Sequence, residues 1–201
     1  MKAIESTVGS LQQIYVIILA LAIAEAFMQF VAAPISDPPQ ANIYYERLLP
    51  LLSFLLLVVP FYHGMSRFFT DAYDPENMSQ SYGGWLLFDC FVFTVEAGLF
   101  FVLARSMPRG FWLQFCSATI LLFVIDIIWG AITWCCRTKV IGPWVIINLI
   151  AAPVLGVIRY IFRSNVSCLF VSSTFLVILT RTIADYWKCR HLYFPKVKSN
   201  I

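Results

Sequence analysis

Six apolar blocks, each near the length a helix needs to cross a bilayer, fill the chain between Leu11 and Tyr186 and leave little choice of fold. They read Leu11–Ala33, Arg47–His63, Trp85–Arg105, Phe111–Cys135, Pro143–Phe162 and Val166–Tyr186. About 20 predominantly apolar residues span about 30 Å of hydrocarbon as a helix. The second block is the shortest, and Pro153 interrupts the fifth. Of the 201 residues 60% are hydrophobic and 12% charged, with a mean hydropathy of +0.79. A soluble domain carries about 25% charged residues, so an unusually greasy soluble core does not explain this chain. The first block is too long for a signal-peptide core and contains Glu25, so it reads as a span. The connections leave no room for a folded soluble domain. The expected architecture is all-α, a polytopic transmembrane bundle of about six spans occupying residues 1–201, with the bilayer as its main partner and a basic tail at 187–201.

An even number of spans puts both termini on one side. That side collects Lys2, Arg67, Arg137, Lys139, Lys188, Arg190, Lys196 and Lys198, against Arg47, Arg105, Arg109, Arg159 and Arg163 on the other. The excess of positive charge predicts cytoplasmic termini. The six cysteines show no C-x-x-C spacing and read as small packing residues. Loop 34–46, with three prolines, is expected to be extended, and loop 67–84 to end in a flexible Tyr-Gly-Gly.

Charges inside the spans carry the chemistry, because each costs about 2.5–3.5 kcal/mol to insert and requires a partner or water. At about 1.5 Å per residue, Asp89 and Asp126 lie roughly 9 Å inside the cytoplasmic boundary. His63 and Arg67 close the second span on that side, and Arg181 with Asp185 closes the sixth. His63, Asp89, Asp126 and Arg181 are therefore expected in one layer, with Arg67 and Asp71 continuing the second helix into the cytoplasm. A second layer, past the midplane, is expected to hold Glu25, Glu96 and, from the opposite side, Arg159 as ion-pair partner. Asp89 and Glu96, seven apart, share a face of the third helix; Glu25 and Gln29, four apart, share a face of the first. Four carboxylates (Glu25, Asp89, Glu96, Asp126) face two deep arginines (Arg159, Arg181). The surplus must be protonated, hydrated or matched across a subunit interface, as in a cation or proton path.

The stretch VVPFYHGMSRFFTDAYD has two readings: an aromatic interfacial belt, or a mobile gate in which Pro60 and Gly64 permit movement and His63 responds to pH. Ala20, Ala22, Ala24 and Ala26 allow a neighbour to approach the first helix closely. Ser172, Ser173, Thr174, Thr180 and Thr182 are expected to bond to carbonyls of their own helix. The tail KCRHLYFPKVKSN suits lipid headgroups or an acidic cytoplasmic ligand. There is no phosphate-binding glycine loop, zinc-protease helix, nucleophile elbow or potassium-filter run, so no enzyme, cofactor or metal site is expected. Sequence-specific nucleic-acid binding is not expected either.

The segments ILALAIAEA, PFYHGMSRFFTDAY and RTIADYWKCRHLYFP together are similar to small six-helix bacterial membrane proteins, some of them membrane effectors of anti-phage defence systems. The size also resembles bacterial members of the lysosomal potassium channel family, but the first span, IYVIILALAIAEAFMQF, lacks that family's arginine and F-S-D motif. The first resemblance implies a bacterial inner-membrane protein that depolarises its host when a nucleotide-type signal appears. The residues and the resemblance lead to one expectation: a homo-oligomeric channel gated from the cytoplasm. Glu25, Asp89, Glu96 and Asp126 would lie along the ion path, and His63, Arg67, Asp71, Arg181 and Asp185 at the gate. A proton-coupled transporter and a non-conducting scaffold are the alternatives.

Overall fold

The computed structural model describes residues 2–32, 47–73, 82–164 and 167–194, and every long element among them is an α-helix. In chain order these are α1 (Lys2–Ala32), α2 (Leu49–Ala72), α3 (Tyr82–Arg105), α4 (Trp112–Cys136), α5 (Gly142–Ile161), α6 (Cys168–Lys188) and the short α7 (Arg190–Tyr193). Six are long and apolar enough to cross a membrane. The proline loop at 34–46, the segment 74–81, and Lys196 and Lys198 of the tail lie outside the described residues.

Helices α2, α3, α4, α5 and α6 close a ring in the spatial order α3, α4, α5, α6, α2, and α1 packs outside it, mainly on α3. The buried residues of α1 are Val8, Tyr15, Leu19, Ala22 and Ala26, a single stripe at spacings of seven, four, three and four. Ala22 and Ala26 have no exposed surface, and such small residues let helix backbones approach closely. Ala20 and Ala24 face outward.

Aromatic rings fill the inside of the ring. Phe54, Phe61 and Phe68 recur every seven residues on α2, as do Phe93 and Phe100 on α3. Phe61 meets Phe100 (centroids 5.5 Å apart), Phe123 (6.4 Å) and Trp144 (6.1 Å), and Trp129 meets Phe93 (4.9 Å) and Phe68 (5.0 Å). These rings pack in offset and edge-to-face arrangements along the axis of the bundle. The outer surface is apolar in turn: Ile17, Leu21, Met28, Leu87, Phe91, Ile128 and Ile150 are all exposed. Such a surface is compatible with a multi-pass membrane protein.

The prolines divide by role. Pro50 and Pro143 stand in the first turns of α2 and α5, where a missing N–H costs nothing. Pro60 and Pro153 lie within helices that continue through them. Pro60 cannot bond the carbonyl of Leu56, four residues back. That carbonyl instead accepts a bond from the Thr182 hydroxyl of α6, at 2.9 Å. The sequence reading assigned the α6 hydroxyls to their own helix; for Thr182 the proline on α2 supplies a better acceptor. Helix α2 then runs to Ala72, nine residues beyond His63, because Met65, Phe68 and Phe69 continue its buried face.

Gly64 answers to packing. A Cβ there would stand 2.6 Å from Cη2 of Trp144, and one at Gly130 would stand 2.5 Å from Cγ2 of Val145. Helix α5 seats its first turn against α2 and α4 through these two glycines. The first residues of the basic tail belong to the bundle as well. After α6, the chain turns at Cys189, and α7 lies back on α2 and α6 with Leu192 and Tyr193 buried.

Candidate functional site

Two buried acidic sites occupy the same half of the bundle, and they differ in how completely they are satisfied. The first is Asp89 on α3, fully buried. Its Oδ2 accepts from the Tyr73 hydroxyl (2.5 Å) and Arg137 Nη1 (2.6 Å), and its Oδ1 accepts from Trp129 Nε1 (2.8 Å). The Arg137 guanidinium packs among the rings of Phe68, Tyr73 and Trp85, 5.2–5.4 Å from their centroids. Burial opposes the charge on Arg137, but the bond to Asp89 and the charge of Asp89 hold its pKa above the ordinary arginine value. Burial and the Asp89 carboxylate push the Tyr73 phenol well above its ordinary range, so it stays a donor. The cluster pins the ends of α2 and α4 to the start of α3.

The second site runs from the middle of the bundle to its end. Glu96, seven residues beyond Asp89, is fully buried between Phe93 and Phe100 on the inward face of α3. Neither of its carboxylate oxygens has a hydrogen-bond partner. Its electrostatic neighbours are Asp126, Arg181 and Tyr15, and the buried Tyr15 hydroxyl also lacks a partner. Asp126 on α4 accepts a short bond from the Asn148 amide of α5. Asn148 Oδ1 accepts in turn from Arg181 Nε (2.8 Å) on α6. Arg181 Nη1 stands 3.0 Å from Asp185 Oδ2, which also accepts from the Tyr193 hydroxyl of α7 (3.0 Å). The guanidinium lies 4.9 Å from the centroid of Phe61 and 5.4 Å from that of Phe123. Arg181 lies within electrostatic range of three buried carboxyl groups, Glu96, Asp126 and Asp185, and neither its Nη1 nor its Nη2 makes a hydrogen bond. Besides both Glu96 oxygens, Asp126 Oδ1 and Asp185 Oδ1 have no hydrogen-bond partner.

Of the layer expected from sequence (His63, Asp89, Asp126 and Arg181), Asp126 and Arg181 come together, linked through Asn148, and Asp185 joins them. Asp89 forms its own site, and His63 faces α7. The His63 ring lies 4.8 Å from that of Tyr193, 6.0 Å from Tyr186 and 5.8 Å from Phe194, centroid to centroid. Arg67 pairs with Asp71 (3.4 Å) and donates from Nε to the Leu192 carbonyl (3.2 Å), which ties α2 to α7. The second expected layer divides too. Glu25 accepts from Gln29 (2.8 Å) and lies 3.7 Å from the exposed Arg105, at the edge of the bundle. The bond of Arg159 goes to the Ser117 hydroxyl of α4 (2.6 Å), not to a carboxylate. Glu96 alone of that layer joins the central network.

Asn148, Trp129, Arg137, Tyr15 and Tyr193 were missed from sequence. Asn148 had a readable signal, as the lone amide in the apolar run WVIINLIAAP. Arg181 also borders a groove of about 330 Å³ between α5 and α6, lined by Ile147, Ile150, Val154, Leu176 and Thr180. The groove opens on the outer face of the bundle, and its lining is mostly apolar. Among the described residues, no three His, Cys, Asp or Glu side chains group as metal ligands. No protein-family model matches this chain, and neither a curated protein nor a solved structure is significantly similar to it.

Proposed function

We propose that the chain translocates ions across a bacterial inner membrane, crossing it six times with both termini in the cytoplasm, and that Glu96 and Asp126 take up the proton that drives or gates this movement. Glu96 carries the reading. A carboxyl group buried with neither oxygen bonded costs free energy that an apolar side chain of similar size would not, so packing alone does not account for it. Binding and releasing a proton is what such a group offers in return. Arg181 and Asn148 hold Asp126 in place beside it and tie the pair to Asp185 at the cytoplasmic end.

Because aromatic rings fill the axis of a single copy, the conducting form in this reading is a homo-oligomer with its path between copies, opened when the network rearranges. The physiological use that fits is depolarisation of the host membrane, answering an acidic or nucleotide-type ligand or a partner protein at the basic cytoplasmic face. A proton-coupled carrier is the second reading, favoured by the sealed position of Glu96: a proton, unlike a hydrated cation, needs no pore to reach it. The test is reconstitution into liposomes, with an entrapped pH dye and a potential-sensitive dye recording flux. Passive dissipation that survives removal of any solute indicates the channel, whereas saturable solute-dependent flux indicates the carrier. Glu96→Gln abolishes either kind of flux with folded yield unchanged. A folded Glu96→Gln protein with full flux would return Glu96 to a packing role.

A further inference from the structure

We infer that α7 is a plug, which seals the end of the bundle over the buried network and must lift before Glu96 and Asp126 can exchange protons with the cytoplasm. The inference rests on the reading of that network as the working site. The network ends in α7 itself: the hydroxyl of Tyr193 is the last donor in the series from Asp126 through Asn148, Arg181 and Asp185. The groove between α5 and α6 is mostly apolar and is lined by Arg181 but not by Asp185, and the Tyr193 hydroxyl of α7 bonds to the buried Asp185 carboxylate.

Two polar bonds, a cluster of rings and the burial of Leu192 hold α7 down. Tyr193 donates to Asp185, the Leu192 carbonyl accepts from Arg67, and the Tyr193 ring packs at a tilt against both His63 and Tyr186 (4.8 and 4.7 Å), which themselves lie 6.0 Å apart. A four-residue segment that joins the bundle through these side chains, after α6 has ended, is a separate small unit of stability, able to open while the six long helices stay packed. Its hinge is Cys189, a buried residue whose amide caps α6 by bonding to the Asp185 carbonyl at 2.8 Å. Burial and Asp185 push the Cys189 thiol up to about 12, so the closed plug also silences it. The sequence reading placed a gate at His63, Arg67, Asp71, Arg181 and Asp185; of these, His63, Arg67 and Asp185 contact α7.

Cys189 reports the plug in the full-length protein. The purified protein, in liposomes, is exposed to a water-soluble methanethiosulfonate, and each cysteine is followed by peptide mass spectrometry. Cys136, exposed at the same end, is the internal standard. Cys189 of the parent reacts far more slowly than Cys136. Tyr193→Phe, which keeps the ring and removes the hydroxyl, accelerates it about tenfold, the factor expected for losing one hydrogen bond to a carboxylate. Arg67→Met acts in the same direction from the opposite side of α7. Proton flux that depends on Glu96 rises with the labelling rate. Cys189 reacting as fast as Cys136 in the parent would overturn the plug. Faster labelling with unchanged, Glu96-dependent flux would make α7 a packing cap and overturn its gating role while sparing the network. Absence of flux from every variant, labelled or not, would overturn the transport reading on which the plug depends.

Discussion

Asp89 and Glu96 stand on the same face of one helix, seven residues apart, and both are fully buried, yet their surroundings are opposite. Asp89 has three donors aimed at two oxygens, one of them a guanidinium wrapped in aromatic rings. Glu96 has none. A buried carboxylate satisfied in this way returns most of its desolvation cost as hydrogen bonds and ion pairing, and it fixes where helices meet. One left bare returns nothing in the resting protein. Position along one helix face therefore does not separate the two acids; the number of donors aimed at each does.

Asp89→Ala is expected to have the largest effect on stability, about 3–5 kcal/mol, since it strands Tyr73 and Trp129 as donors and leaves Arg137 without its carboxylate. Thermal unfolding in mild detergent reads this directly, and a protein as stable as the parent would erase the contrast between the two acids. Next is Gly64→Ala, which drives a methyl group into Trp144 and costs about 1–3 kcal/mol. A neutral result would mean that α5 is seated less tightly on α2 than its ring contacts indicate. Thr182→Val removes the donor that serves the Leu56 carbonyl at Pro60 and costs about 1–2 kcal/mol. In a Pro60→Ala background the helix supplies its own N–H, so the same change should cost less, and equal costs in both backgrounds would refute the pairing. Trp129→Phe keeps the ring and removes one of the three donors to Asp89, for about 1 kcal/mol. A loss much above that would show that the three donors act as a unit rather than singly.

Hydropathy made the six helices legible because each apolar block had to be about a bilayer thick. The apolar block of α2 ended at His63, and the expected continuation of the helix through Arg67 and Asp71 is present, held by Phe68 and Phe69 against α3 and α4, a tertiary effect no window along the chain contains. Depth along each helix put Asp126 and Arg181 in one layer, and Asn148 links them. It also put Asp89 with them and Arg159 beside Glu25, because depth carries no information about which way around a helix a side chain points or which helices are neighbours. Arg137 was counted as a loop charge for the topology and is the main partner of Asp89. Tyr193 was read as part of a lipid-anchoring tail, and only the turn at Cys189 brings it back over Asp185.

The most direct test measures stability and proton flux together on Glu96→Gln, beside Asp89→Asn as its control. The unpartnered state of Glu96 requires that glutamine leave the unfolding temperature at or above that of the parent while flux disappears. Asp89→Asn should instead lower the unfolding temperature, with flux lost only in proportion to folded protein. Unfolding of Glu96→Gln in parallel with Asp89→Asn, or undiminished flux from a folded Glu96→Gln protein, would contradict the assignment of Glu96 as the working group.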